Sequence, residues 1–258
     1  MLNEFLKENK ILICIPTKGR QGKQKTLKCF PDNCYGESVF LVHSKDESHE
    51  CPGILQPESI NNIRDKRNFI IDYAQNNDYS YLIMADDDAT IKSWSKETSR
   101  WIASDESQIL EAIKIGMNYD YYSLAGRFFN NGTLGLKENT TGNAFHMFNL
   151  PKLGDIRART PIFEDADLYL QLFDIGGTIC CNNDCVFDNA IDNKVGGNAS
   201  NPNFSDDILF EKNINDFLLL HPKYVSKETS INKFRGKHRG YKLKIKLKRL
   251  KGVQDAEW

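Results

Sequence analysis

Three short apolar runs constrain this chain more than any other feature. Residues 11–15 (Ile-Leu-Ile-Cys-Ile), 39–43 (Val-Phe-Leu-Val-His) and 79–85 (Tyr-Ser-Tyr-Leu-Ile-Met-Ala) are too short for buried helices. They are also largely continuous in apolar character, the pattern of strands covered on both faces. The connections between them are long enough for crossover helices, and strands joined in that way lie parallel. One such helix is legible over residues 62–76, where Ile63, Ile70, Ile71 and Ala74 recur at helical spacing. Arg64, Arg67 and Asn68 share another face of it at i, i+3 and i+4. The expected fold class is α/β, a Rossmann-like and mostly parallel central sheet flanked by helices.

Further along, residues 105–117 read as an amphipathic helix, 121–125 and 144–149 as strands, and 126–142 as a Gly/Asn-rich loop or hairpin. Residues 165–175 place Leu168, Leu172 and Ile175 on one helix face, stopped by Gly176-Gly177. An Asn/Asp/Gly-rich stretch, 188–206, reads as a mobile loop, and 207–220 as a helix. At 258 residues the chain buries a sizeable core without staples. Its seven cysteines include no CxxC pair, which argues against a disulfide framework or zinc ribbon. The first ten residues are charged, and no stretch approaches the roughly 18 apolar residues of a membrane span. The expectation is a soluble, cytoplasmic protein.

The formal net charge of -1 hides an asymmetry. Residues 233–251 carry ten Lys/Arg and no acid; without them and the two acids beyond, 24 basic side chains face 33 acidic ones, a net of -9. We divide the chain into a body, 1–222, and a basic C-terminal extension, 223–258. Lys233, Arg235, Lys237, Arg239, Lys242 and Lys244 are the candidate contacts to a polyanion, either nucleic acid or an anionic membrane surface. A solvated basic helix is the plain alternative.

Asp86-Asp87-Asp88 follows the third strand directly. Three consecutive carboxylates at the end of a buried strand repel unless a cation or donors compensate them. Hard divalent ions do so, with substrate phosphates completing the shell. The carboxyl edge of a parallel sheet is where open α/β folds bind such ligands. The alternative is an acidic turn in which Asp88 caps the next element. Arg64 and Arg67 offer forked donors suited to phosphate, and Thr17, Lys18 and Arg20, after the first strand, would lie along the same edge. Glu164 and Asp165 open a helix whose N-terminus favours the ionised form of a base; simple capping competes.

The order of Ile11-Leu-Ile-Cys-Ile-Pro-Thr, Arg67-Asn68 with Ala74, Tyr81-Leu-Ile-Met-Ala-Asp-Asp-Asp88, Gly142-Asn-Ala-Phe and Glu164-Asp-Ala-Asp-Leu168 with Gly177 resembles the large inverting family of GT-A glycosyltransferases. The resemblance spans roughly residues 11–180. It implies that the Asp cluster is a DxD motif holding the donor ribose and a divalent metal, Mn2+ or Mg2+, through Asp86 and Asp88. Asp87 then stands with the nucleotide-sugar contacts. It implies further that Pro16, Thr17 and Arg20 line the nucleotide, that Arg67 contacts it, and that Asp165 is the base. GT-A enzymes often complete the metal shell with a downstream His, for which His221 is the candidate and His146 the competitor. A Gln-x-x-Arg-Trp-type motif is lacking, so processive polymer synthesis is not expected.

Pro16-Thr17-Lys18-Gly19-Arg20, Lys66-Arg67-Asn68 and the triple Asp also resemble phage and related glycosyltransferases that decorate hydroxymethylated pyrimidines in DNA. The expected reaction is therefore metal-dependent sugar transfer from a nucleotide diphosphate sugar to an acceptor hydroxyl, with a DNA base as acceptor and the basic segment neutralising phosphates. Phosphate attraction alone does not expose the base, which must be flipped out of a duplex. Two alternatives stand beside it. One is transfer to a cell-surface or lipid-linked glycan, with Leu243, Ile245, Leu247 and Leu250 meeting an interface. The other is a non-catalytic nucleotide- or nucleic-acid-binding protein on the same fold. No obligatory protein partner is evident.

Overall fold

The computed structural model describes residues 1–49, 51–126, 134–142, 144–189, 202–231 and 239–247. The three apolar runs form β1 (Ile11–Pro16), β2 (Val39–His43) and β4 (Tyr81–Ala85), and β3 (Gly53–Leu55) adds an edge. These four strands are parallel, in the order β3-β2-β1-β4. The sheet continues through β9 (Phe145–Asn149), β7 (Tyr121–Gly126), β10 (Ile179–Asn189), β5 (Ala89–Ser95) and β6 (Arg100–Ala103). β8 (Leu136–Glu138) pairs with β10 inside the stretch expected to be a loop or hairpin. β9 runs against both its neighbours, whereas β7 and β10 are parallel to each other. The result is a Rossmann-like GT-A arrangement with a mostly parallel sheet.

The helices are α1 (Leu2–Glu8), α2 (Ile63–Asn76), α3 (Glu106–Gly116), α4 (Leu150–Leu153), α5 (Glu164–Asp174), α6 (Pro202–Ser205) and α7 (Asp207–Leu220). Asn62 caps α2 by accepting from the Asp65 amide, and Asp105 with Gln108 forms a capping box on α3. β1 shows why the sheet is covered twice. Ile11, Ile13 and Ile15 pack with α1 and α3 on one face, and Leu12 and Cys14 pack with α2 and α5 on the other. Strand alternation delivers the two sets to opposite layers.

The basic extension is in part a strand pair. β11 (Val225–Thr229) and β12 (Tyr241–Ile245) pair antiparallel. Val225 and Leu247 are buried in the same cluster as α2 and α5, with Leu243 and Ile245 packed against it. The alternation of apolar and basic side chains in β12 thus serves the core, not an apolar membrane stripe. Leu250 lies outside the described residues, as do residues 190–201 of the expected loop. Among the described residues, no helix is long and apolar enough to cross a membrane.

Candidate functional site

The carboxyl ends of β1, β2 and β4 open on one edge, and antiparallel β9 begins there, with Phe145 opposite Ala85 and His146 opposite Met84. Glu164 brings the start of α5 to the same place through its ion pair with Arg67 of α2. Phe163, just before it, is left-handed (φ 56, ψ 32) and buttressed by ring contact with Phe217, a backbone state that persists only when packing holds it.

The Asp86-Asp87-Asp88 backbone is pinned from several sides. Asp86 donates its amide to the Ala144 carbonyl (2.9 Å), Lys25 donates to the Asp87 carbonyl (2.9 Å), and the Thr26 hydroxyl donates to the carbonyls of Asp86 and Ala89. The three carboxylates diverge. Asp87 turns inward, accepting from the Thr17 hydroxyl (2.6 Å) and from Arg20. Arg20 also reaches Asp88 (3.1 Å). Asp86 accepts from Arg67 Nη2 (3.2 Å), and Arg67 Nε donates to Glu164 (3.0 Å). Arg67 is buried and bridges the Asp cluster to α5, leaving Nη1 without a hydrogen-bond partner. An unpaired buried N–H is costly, and the cost is borne where Arg67 holds two carboxylates together.

The electrostatics follow from this crowding. Burial pushes the Asp86 carboxyl up to about 7; Arg67 opposes the shift, and Asp88, Asp165 and Glu164 reinforce it. Burial likewise raises Asp87 and Glu164 against the pull of their Arg partners. Asp86 and Asp88 offer hard oxygen ligands, a set that fits Mg2+ or Mn2+ if phosphate and water oxygens supply the rest. Among the described residues they belong to no group of three converging His, Cys, Asp or Glu side chains.

Three acids open α5, with different fates. Glu164 is sequestered by Arg67 and Asp167 is fully buried, whereas the Asp165 side chain keeps 28% of its exposure. Asp165 accepts from the Ala166 amide (2.8 Å), and its Oδ2 lies 3.5 Å from His146 Nε2. His146 is buried, and its Nδ1 bonds the Tyr121 hydroxyl (2.7 Å). Burial lowers its pKa to about 4, so the ring is neutral at physiological pH.

Several expected residues have other employment. His221 does not join the Asp cluster. Its Nε2 bonds Asp167 (2.7 Å), which also holds Arg159 (2.6 Å), so Asp167 ties the end of α7 to α5. Arg64 pairs with its neighbour Asp65 (2.7 Å), and Asn68 exchanges two hydrogen bonds with the Ala158 backbone. Lys18 is exposed, and Pro16 closes β1. Arg239 is withdrawn from the proposed polyanion face, stacked 4.0 Å over Phe210 and paired with Asp207. Lys244 pairs with Glu228 (2.6 Å), Lys242 is exposed, and Lys233, Arg235 and Lys237 lie outside the described residues.

Other residues reach the same edge. Lys66 donates to the Thr17 carbonyl (2.8 Å) at the end of β1, and burial lowers its pKa to about 8. Thr26 and Tyr121 reach the edge from distant positions. Lys66 stands in the Lys66-Arg67-Asn68 run on which the resemblance rests, whereas Thr26 carries no local signal. Gly142 allows a close approach there, since a Cβ would lie 1.7 Å from the Leu124 carbonyl oxygen.

Fold and edge together define an α/β protein of the GT-A class. The sequence model of the TET-Associated Glycosyltransferase family matches residues 11–197. The chain belongs to that family and is a glycosyltransferase. No curated protein matches it. Among solved structures, "Crystal Structure of a Mycobacterial Protein" aligns over 95% of this chain and 86% of its own at 10% identity and a TM-score of 0.50, a likeness of fold alone. "Crystal Structure of A197 from STIV" aligns over 70% of this chain and 86% of its own at 16% identity and a TM-score of 0.45.

Proposed function

We propose that the protein transfers a sugar, with inversion, from a nucleoside diphosphate sugar to the hydroxyl of a hydroxymethylated pyrimidine in DNA. The observation that carries this reading is the bridge made by Arg67 from Asp86 to Glu164 (3.2 and 3.0 Å), which sets the Asp cluster beside Asp165. Asp86 and Asp88 would hold Mg2+ or Mn2+, and the ion would supply charge neutralisation for the diphosphate. Arg67, buried between Asp86 and Glu164, contributes its positive charge to the anion's surroundings, and Thr17, Lys18 and Arg20 flank the nucleotide.

Asp165 accepts the proton of the acceptor hydroxyl as the oxygen bonds to the anomeric carbon. The bond from that carbon to the phosphate oxygen breaks, and the nucleoside diphosphate leaves with the electron pair. Neutral His146, fixed by Tyr121, lies behind Asp165. For the DNA acceptor, support comes from the family name and from the Lys-rich segment around Lys242 and Lys244. A lipid-linked acceptor gains no support from the apolar residues of β12, which pack on the core.

Calorimetric titration of nucleotide sugars tests the donor half. Binding is expected to require Mn2+ or Mg2+ and to be abolished in Asp88→Ala. Equal affinity of that variant in the presence of manganese would overturn the metal assignment.

A further inference from the structure

A second polar cluster lies one strand away from the Asp edge. His43, the last residue of β2, and His49 and Glu47, from the connection that follows, bring one ligand atom each to within 4.8 Å of one another. All three are removed from solvent: His43 is 6% exposed, and the side chains of His49 and Glu47 are 2% and 11% exposed. The imidazole rings meet edge to face, with centroids 4.4 Å apart.

The hydrogen bonds around the cluster orient it as a ligand set. His43 Nδ1 lies 2.8 Å from the Ser44 carbonyl, which can only accept, so the proton sits on Nδ1 and the lone pair on Nε2. A glycine keeps the space beside that Nε2; a Cβ at Gly53 would lie 2.5 Å from it. His49 Nε2 is 3.2 Å from Glu47 Oε2, and its Nδ1 meets the Gln24 side-chain amide at 3.1 Å. That amide is an acceptor for Nδ1–H in one of its two orientations. Glu47 Oε1 is held by the Gly19 amide (2.7 Å). Each prospective ligand thus has its other polar atom fixed by a backbone group or an amide, the support that metal-bound imidazoles and carboxylates receive.

We propose that His43 Nε2, His49 Nε2 and Glu47 Oε2 bind a single borderline transition-metal ion, with Zn2+ as the best-matched species and a fourth position left to water. Ligands about 2.0–2.2 Å from a tetrahedral Zn2+ lie roughly 3.4 Å apart, and the His49–Glu47 pair is already at 3.2 Å. Two nitrogens and one carboxylate suit Zn2+, whereas the oxygen-only Asp86 and Asp88 suit Mg2+ or Mn2+. The ion pins the connection after β2 to the loop after β1 through Gly19 and Gln24. Gly19 and Gln24 follow Thr17 in that loop, and Thr17 bonds Asp87 (2.6 Å). The site therefore braces one wall of the catalytic edge, and its existence is independent of the donor and acceptor proposed above.

The test uses the full chain, stripped with chelator, titrated with Zn2+ in a calorimeter and assayed for bound metal by mass spectrometry. One equivalent is expected, retained in Asp88→Asn. Its affinity should fall at least about 10-fold in His49→Gln and in Glu47→Gln, as expected for loss of a group at a metal centre. Co2+ substitution should give the visible bands of a tetrahedral ion. Circular dichroism checks that each variant is folded, and Glu47→Gln decides the matter if His49→Gln is not. Failure of the wild type to take up an equivalent would overturn the site, as would unchanged affinity in the ligand variants. Uptake lost in Asp88→Asn alone would also overturn it, by moving the ion to the Asp cluster.

Discussion

Among individual residues, the division of labour at the start of α5 decides most of the chemistry. Glu164 is committed to Arg67, and Asp167 to Arg159 and His221. Asp165 retains access to solvent and hence to an acceptor. Asp165→Asn is expected to leave donor affinity nearly intact while turnover falls about 10²–10⁴-fold, the usual weight of a general base. Single-turnover kinetics beside donor titration checks this, and a variant keeping more than about a tenth of the rate would contradict the role.

Asp167 carries stability instead. Although burial opposes ionisation, its bonds from His221 and Arg159 hold the carboxyl below the ordinary carboxylate value. The unfolded chain regains that ordinary value of about 3.9. The stabilisation is therefore fully present above about pH 4 and is lost as pH falls through the folded-state value. Asp167→Asn should cost about 2 kcal/mol near neutral pH. Urea unfolding at several pH values should show the difference from wild type shrinking in acid.

At the scale of elements, helices with strong periodicity and caps were legible, and strands made by partners were not. The helix expected over 62–76 is α2 with Asn62 as its cap, and that over 207–220 is α7. β10 was missed because Asn182-Asn183-Asp184 reads as a turn. Its partners make it a strand: Asn182 donates to the buried Tyr122 hydroxyl (2.8 Å), and the register against β7 shifts between Asn182 and Val186. β5 alternates buried Ala89, Ile91 and Ser93, but the acidic turn before it hid the pattern. The Asp cluster and Arg67 were legible because a strand end and a helix face carry local signals. The ties His221–Asp167 and Tyr121–His146 join residues 54 and 25 positions apart, which no local period encodes. The β11–β12 pair yields a further prediction. Truncation after Tyr224 removes Val225 and Leu247 from the core and should lower the urea midpoint markedly; an unchanged midpoint would separate the pair from the core.

For the whole molecule, residues 1–232, acidic with a net of -9, carry a basic end, and the cations described in that end divide between the fold and the surface. Arg239 serves the fold, whereas Lys242 is exposed and Lys244 pairs with Glu228 near the surface. Replacing Lys242 and Lys244 with Gln should flatten the plot of log affinity for duplex DNA against log salt by about 2, since each lost phosphate contact removes about 0.9. An unchanged slope would remove these two lysines from the DNA interface.

Sugar transfer to a hydroxymethylated base is measured by incubating the protein with a panel of nucleotide sugars and manganese. DNA containing hydroxymethylcytosine, hydroxymethyluracil or neither is offered as acceptor, and the digested nucleosides are weighed by mass spectrometry. A sugar mass is expected on a hydroxymethylated nucleoside and not on unmodified DNA. Donor hydrolysis with no mass added to any nucleoside would contradict the DNA acceptor.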